Sequence, residues 1–466
     1  MPTRTSGEPS KLASLVVNVG VIAAIALFAV SISMVVTKLA DSTQAEAEWD
    51  PVLEPYVGFV ERERGLTFDR PVRVRFADIA AEVAEGLRLK RESESQIPSE
   101  VHDPYGEAYR LLGLVALEIE QDSRAATNES IAANAGAFYD SLFEEIVLPE
   151  GASQTAMQVT IVHELVHALQ DQNGMLEFPP DTHDGSQARL ALVEGDAERI
   201  ALAWLSQLSP ADRDAYLDAV SADFDQEFED VGNNFLEVTF FASYGLGVPL
   251  VETIIAIDGE AELNRLLTAE DVGSSERFVD VLGASNESSV DALSEIELPE
   301  SRSEADGDLG AMTWFAALAP QAGTDLAFDA LIGYDDDAFA TFESHAGVTC
   351  GRFELFFDTG ADAVEFGEVA TVAGLDGDVD SDRRSVMINI CEPVGDPDDQ
   401  RFSVLFPLVV VNELALHHLN SGLDEQLARC AALAQAATMP IDRALEDFLG
   451  YDELFAESLP FVSACR

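Results

Sequence analysis

The chain has 466 residues, 47% hydrophobic and 8% aromatic, so it can bury a sizeable core and is not disordered by composition. Asp and Glu total 86 against 26 Lys and Arg, a formal net charge of −60 spread along the whole length, and such a surface repels phosphate and excludes nucleic acid as a partner. Lysine occurs only at Lys11, Lys38 and Lys90, a balance expected of a protein working in molar salt, where the Debye length falls to about 3 Å and carboxylates are screened from one another.

Residues 12–37 carry no charge over 26 positions. At about 1.5 Å per residue that length crosses a hydrocarbon core of about 30 Å. Arg4 and Lys11 precede the stretch, and Asp41, Glu46, Glu48 and Asp50 surround the single Lys38 that follows it. The positive-inside bias then predicts a cytoplasmic N-terminus at 1–11, a single-pass anchor at 12–37, a linker at 38–50 and an extracellular remainder. Ala45-Glu46-Ala47 resembles a signal-peptide cleavage site and leaves processing open.

"PVRVRFAD", Pro71 to Asp78, alternates like a strand, and helical patterns cover about 79–93 and 106–122. Asn134 to Glu150 reads as two short strands around a turn. One helix follows over Ala152 to Gln172, with Ser153 as N-cap and Gly174 just past its end. A Gly-, Pro- and Asp-containing loop leads to a second apolar helix over about Ser186 to Leu208. Helical patterning continues through "FLEVTFFASYGLGVPLVETIIAI", and the last 160 or so residues mix helix and strand. The Asp-rich runs "YDDDAF" and "LDGDVDSD" read as solvated loops, since the second lacks the Gly and closing Glu of an EF-hand. Cys350 and Cys391 lie in two candidate strands that can pair, which predicts a disulfide between them and leaves Cys430 for Cys465.

The chemistry concentrates in "TIVHELVHALQDQ", Thr160 to Gln172. His163 and His167 stand at i and i+4, on one helix face one turn apart, so both rings can reach one Zn²⁺ at about 2.0–2.1 Å. Glu164 lies roughly 100° around the helix, where it can take a proton from water and pass it to a leaving amine. Two satisfied core histidines are the structural alternative, but a charged Glu164 inside an apolar helix then needs a partner. A metzincin would place another His six residues after the second, and position 173 is Asn. "LALVEGDAERIALAW" supplies a third ligand in Glu194, an acid on an otherwise apolar helix. Gly195 beside it would let this helix approach the HExxH helix closely. Glu198, one turn on, can accept the second ring N–H of a ligand histidine, and Asp196 can serve either task. His183 is the rival ligand, and an ion pair with Arg189 or Arg199 is the non-metal account of Glu194. "NELALHHLN", with Glu413, His417 and His418, lacks the HExxH order and reads as an ordinary helix.

An HExxH helix, a Glu on the next helix and an acid one turn later resemble the gluzincin metallopeptidases of thermolysin type. "HELVHALQDQ" followed by "ALVEGDA" is similar to a group of prokaryotic zincin-like proteins, and "RGLTF", "PVRVRF", "AFYD" and "SSERF" extend the resemblance over roughly Val60 to Phe366. Glu198 departs from the thermolysin pattern, which has Asp there. The resemblance implies zinc-dependent peptide hydrolysis, with a peptide or protein substrate laid along an edge strand at "AFYD" or "EEIVLP". It implies a Tyr or His for the oxyanion, and Tyr244 in "ASYGLG" is the candidate, with a core tyrosine as the alternative. The expected fold is α+β: a mainly helical zincin-like catalytic domain with a small sheet at 51–300, carrying an N-terminal transmembrane helix, and a mixed α/β C-terminal region at 301–466. The competing functions are a catalytically silent binding or scaffold module and a zinc hydrolase of a non-peptide bond; an intact Glu164 speaks against the first.

Overall fold

The computed structural model describes residues 48–79, 81–82, 104–115, 137–151, 154–177, 182–216, 235–270, 272–282, 290–299, 302, 304–394, 405–436 and 459–465. In chain order these form α1 (Glu54–Arg64), β1 (Arg73–Ala77), α2 (Pro104–Leu111), β2 (Phe138–Asp140), β3 (Glu145–Pro149), α3 (Gln154–Gln172), α4 (His183–Gln207), α5 (Phe235–Asp258), α6 (Glu260–Leu267), α7 (Glu276–Val279), α8 (Ala292–Glu295), α9 (Ala311–Ala322) and α10 (Thr324–Ala330). The remainder comprises β4 (Tyr334–Glu343), β5 (Thr349–Phe357), α11 (Gly360–Val372), β6 (Gly377–Asp380), β7 (Ser385–Ile390), α12 (Phe406–Asn420), α13 (Glu425–Ala436) and α14 (Leu459–Ala464).

The expected fold class needs correction. The described residues form a mixed α/β structure of 14 helices and two small sheets, and no helix among them is long and apolar enough to cross a membrane. The anchor expected at 12–37 lies outside the described residues. On the same finding, the membrane partner and the single-pass placement with an extracellular catalytic part have no support in the fold and are set aside.

The first sheet has the order β1–β3–β2, with β1 parallel and β2 antiparallel to β3. It packs with α1 and α3 around Tyr56, Phe59, Ile146, Leu148, Leu165 and Leu169, all buried. That packing explains why α3 is apolar around most of its circumference: the sheet covers one side and α4 the other. α4 is capped by Thr182, whose hydroxyl accepts the Gly185 N–H. The second sheet is antiparallel, in the order β4–β5–β7–β6, and the larger core lies between it and α5, α9 and α12, around Leu246, Trp314, Phe315, Phe339, Phe353 and Leu408. Gly351 pairs with Ile390 in the β5–β7 ladder, which brings the adjacent Cys350 and Cys391 together, and both expected disulfides, Cys350–Cys391 and Cys430–Cys465, are formed.

The run "YDDDAF" is not a solvated loop. It opens β4, and Asp337 is fully buried, accepting the backbone N–H groups of Leu309 and Gly310 and the Tyr334 hydroxyl. A carboxylate can replace water there because the chain supplies it with donors.

Candidate metal centre

α3 and α4 lie side by side, and the acids of one face the histidines of the other. His163 Nε2 and His167 Nε2 are 2.9 Å apart, and Glu194 Oε2 is 3.2 Å from the first and 3.4 Å from the second. His163, His167 and Glu194 are each at most 1% exposed. They are the group that can hold a metal among the described residues. An ion bonded to three donors at about 2.0–2.2 Å in tetrahedral geometry separates them by about 3.4 Å, so the spacing fits a metal of that size. The donor chemistry fits as well: two imidazole lone pairs and a carboxylate oxygen converge on one buried point, where only a cation or a proton reconciles them. Burial opposes a charge on His163, but Glu194 and Glu198 beside it push its pKa up to about 10, the response of a site built for positive charge. For Glu194 the same burial favours the neutral form, yet the two histidines hold its carboxyl below the usual range.

The neighbouring side chains occupy defined places. Glu198 Oε2 lies 3.3 Å from His163 Nδ1, near but not in hydrogen-bond alignment. Glu164 is buried, and neither carboxylate oxygen makes a hydrogen bond. Burial raises its pKa, the two histidines counter that, and the Tyr139 backbone amide on β2 lies close enough to lower it further without an aligned bond. Tyr244 on α5 is buried with its hydroxyl toward Glu194; burial first, then the Glu194 charge, hold it well above the usual phenol range. Asp196 faces away from the histidines, toward Arg64 and Arg199 at 2.7 and 3.1 Å. Its carboxyl sits below the usual range because these arginines outweigh burial.

The rival readings of these residues find other partners. His183 Nε2 lies 3.1 Å from the Tyr109 hydroxyl and 2.9 Å from Gln187, outside the metal-binding group. Arg199 turns to Asp196 and Glu260, and Arg189 donates to the carbonyls of Leu267 and Ala269. Gly195 serves a close approach, but to α5 and not to α3: a Cβ on it would stand 2.2 Å from the Gly247 carbonyl oxygen. That crossing sets Tyr244, one turn before Gly247, against Glu194.

The tail of the motif carries three residues whose contacts sequence reasoning missed. Gln170 Oε1 is 2.9 Å from His167 Nδ1, while its amide donates to Asp196 and to the Val193 carbonyl. Asp171 accepts the Tyr139 hydroxyl at 2.7 Å and so ties α3 to β2. Gln172 accepts the backbone N–H groups of Asp69 and Arg70, just ahead of β1. One signal was visible, since Gln170 lies three residues from His167 on the same helix face.

Residues 116–239, which include α3 and α4, match a family described as "Putative metallopeptidase family". No curated protein and no solved structure matches the chain. The family match supports a metallopeptidase, and with it a metal and a peptide substrate; the His–His–Glu group can hold such a metal.

Proposed function

We propose that the protein is a zinc-dependent metallopeptidase of the gluzincin kind, with His163, His167 and Glu194 as ligands and Glu164 as general base. The observation that carries this reading is the convergence of three buried donor atoms within 3.4 Å of one another beside a buried carboxylate, Glu164, that makes no hydrogen bond of its own. Two imidazoles and one carboxylate are the ligand chemistry of a catalytic zinc with a coordination position left open. Zinc, when bound, would supply Lewis acidity toward the scissile carbonyl and acidify water toward a pKa of about 7.

The rest falls to the chain. Glu164 takes a proton from the attacking water and returns it to the departing amine. Its carboxyl is raised by burial, which makes it a better base than an exposed Glu. Tyr244, protonated because burial holds its pKa high, donates to the oxyanion. Glu198, 3.3 Å from His163 Nδ1, is placed to accept its N–H and fix the ring after a small turn into line. β2 is an edge strand packed against α3, and an extended peptide added along it would gain main-chain hydrogen bonds. The charge of −60 with three lysines supports work in molar salt.

The reading is tested by metal analysis of protein purified and held in molar salt. One zinc per chain is expected, and none in His163→Ala or Glu194→Ala. A folded wild type that retains no metal after incubation with zinc and gel filtration overturns it.

A further inference from the structure

We propose that Gln170 is a positioning residue for His167: its amide, held from behind by Asp196 and Arg64, keeps the ring proton on Nδ1 and leaves Nε2 to the metal. This rests on the metal-centre reading above. The orientation of the amide follows from its partners. Gln170 Nε2 lies 3.1 Å from the Val193 carbonyl and 2.9 Å from Asp196 Oδ2, and both of those oxygens only accept. That end of the amide is therefore the NH₂. The other end, Oε1, faces His167 Nδ1 at 2.9 Å, and a carbonyl oxygen cannot donate. Nδ1 must carry the hydrogen. Turning the amide over would set its oxygen against two acceptor oxygens and lose both of those bonds, whichever tautomer His167 took.

Asp196 is itself fixed. Arg64 Nε donates to its Oδ2 at 2.7 Å, and Arg199 Nε to its Oδ1 at 3.2 Å. The other arms of Arg64 reach Glu260 and Asn264 at 3.0 and 2.7 Å, so each guanidinium nitrogen has a partner. Arg64, Asp196 and Gln170 are all at most 1% exposed, so no water competes along the relay. It runs from α1 through α4 to α3 and ends on a single ring nitrogen. Glu164, Glu194 and Glu198 already bring three buried carboxylates to this place, and an amide accepts the His167 proton without adding a fourth charge.

The test uses full-length protein labelled with ¹⁵N-histidine and loaded with Zn²⁺. Wild type should give a downfield, slowly exchanging N–H resonance assigned to His167 Nδ1. Gln170→Met, which keeps length and loses both hydrogen-bonding ends, should lose that resonance and bind Zn²⁺ about 10–100-fold more weakly in chelator competition. Gln170→Glu sets an oxygen against Asp196 and the Val193 carbonyl and so should be less stable than wild type, yet it keeps the acceptor toward His167 and should keep the resonance, which a merely space-filling role would not require. Unchanged affinity and an unchanged resonance in Gln170→Met overturn the proposal while leaving the metal centre standing. A wild type that takes up no Zn²⁺ ends both. Should Gln170→Met fail to fold, the wild type alone decides: metal on His167 Nδ1 with the proton on Nε2 overturns the relay.

Discussion

Gly195 and Gly247 meet backbone to backbone where α4 crosses α5. A Cβ on Gly195 would stand 2.2 Å from the Gly247 carbonyl oxygen, and a Cβ on Gly247 would stand 2.4 Å from that of Ala191. Neither obstacle is a side chain that can turn aside, so one added methyl forces two helices apart. The helices carry Glu194 and Tyr244, which face each other beside the crossing.

Gly195→Ala and Gly247→Ala should therefore each lose about 1–3 kcal/mol or more in chemical denaturation. Gly58 supplies the control: it lies inside α1, and a methyl added there would meet nothing within 4 Å, so Gly58→Ala should gain about 0.5–1 kcal/mol. Equal effects at all three positions would mean that helix propensity, and not the crossing, is what the glycines provide.

The contrast between Gly195 and Glu194 measures what the chain alone could tell. That His163, His167 and Glu194 come together was legible because helical spacing and the cost of a buried charge are local arguments. Cys350 and Cys391 were legible because each sat in a recognisable strand. The partner of Gly195 was not, since a missing side chain says that something comes close but not what. Arg64 carried no local signal: it reaches Asp196 across 132 positions, and only the assembled fold makes it the anchor of the site. Asp337 misled for the same reason, since its backbone donors at Leu309 and Gly310 come from elsewhere in the chain.

The acids around that buried turn predict an inverted pH dependence. Burial pushes Asp336 up to about 8, Asp184 to about 7 and Asp337 to about 6, against opposing hydrogen bonds from backbone and hydroxyl groups. An acid whose pKa is higher folded than unfolded holds more protons in the native state between the two values, so stability falls as pH rises through that interval. The interval here runs from about 4 to about 8. In molar salt with a chelator present, the melting temperature should drop between pH 5 and pH 9. Asp336→Asn should flatten the part between about pH 6 and 8, and this difference isolates the group from the rest of the chain. A wild-type curve that rises over the range, unaltered by the substitution, would show that the fold holds these carboxylates ionised throughout.

The disulfide between Cys350 and Cys391 spans 41 positions and closes the β5–α11–β6–β7 segment on itself. Loop-closure entropy for such a span is about 4 kcal/mol, and losing a native bridge typically costs about 2–5 kcal/mol. The β5–β7 ladder beside it is continuous from Gly351 to Phe356, so the paired variant Cys350→Ala with Cys391→Ala should still fold, less stably by that amount. A reductant should bring wild type down by that amount plus the loss due to Cys430–Cys465, and the variant by the second loss alone. Stability indifferent to both treatments would mean that the bridge constrains nothing in the unfolded chain.

Glu164→Gln separates holding a metal from using it. Glu164 is not among the converging ligands, and glutamine has nearly the same size, so the ligand set of His163, His167 and Glu194 should persist and zinc content should match wild type. What the substitution removes is a buried carboxylate able to accept a proton. Proton transfer by a positioned side chain contributes about 10²–10⁴-fold, and peptide hydrolysis should fall by at least that factor. The assay belongs in molar salt. At about 0.1 M the screening length grows to about 10 Å, and a charge of −60 would then loosen the fold and imitate a catalytic defect. Equal turnover in wild type and variant would remove Glu164 from the mechanism. A wild type that is folded, zinc-loaded and inert on a broad peptide library would turn the assignment toward a non-peptide bond or a silent binding module.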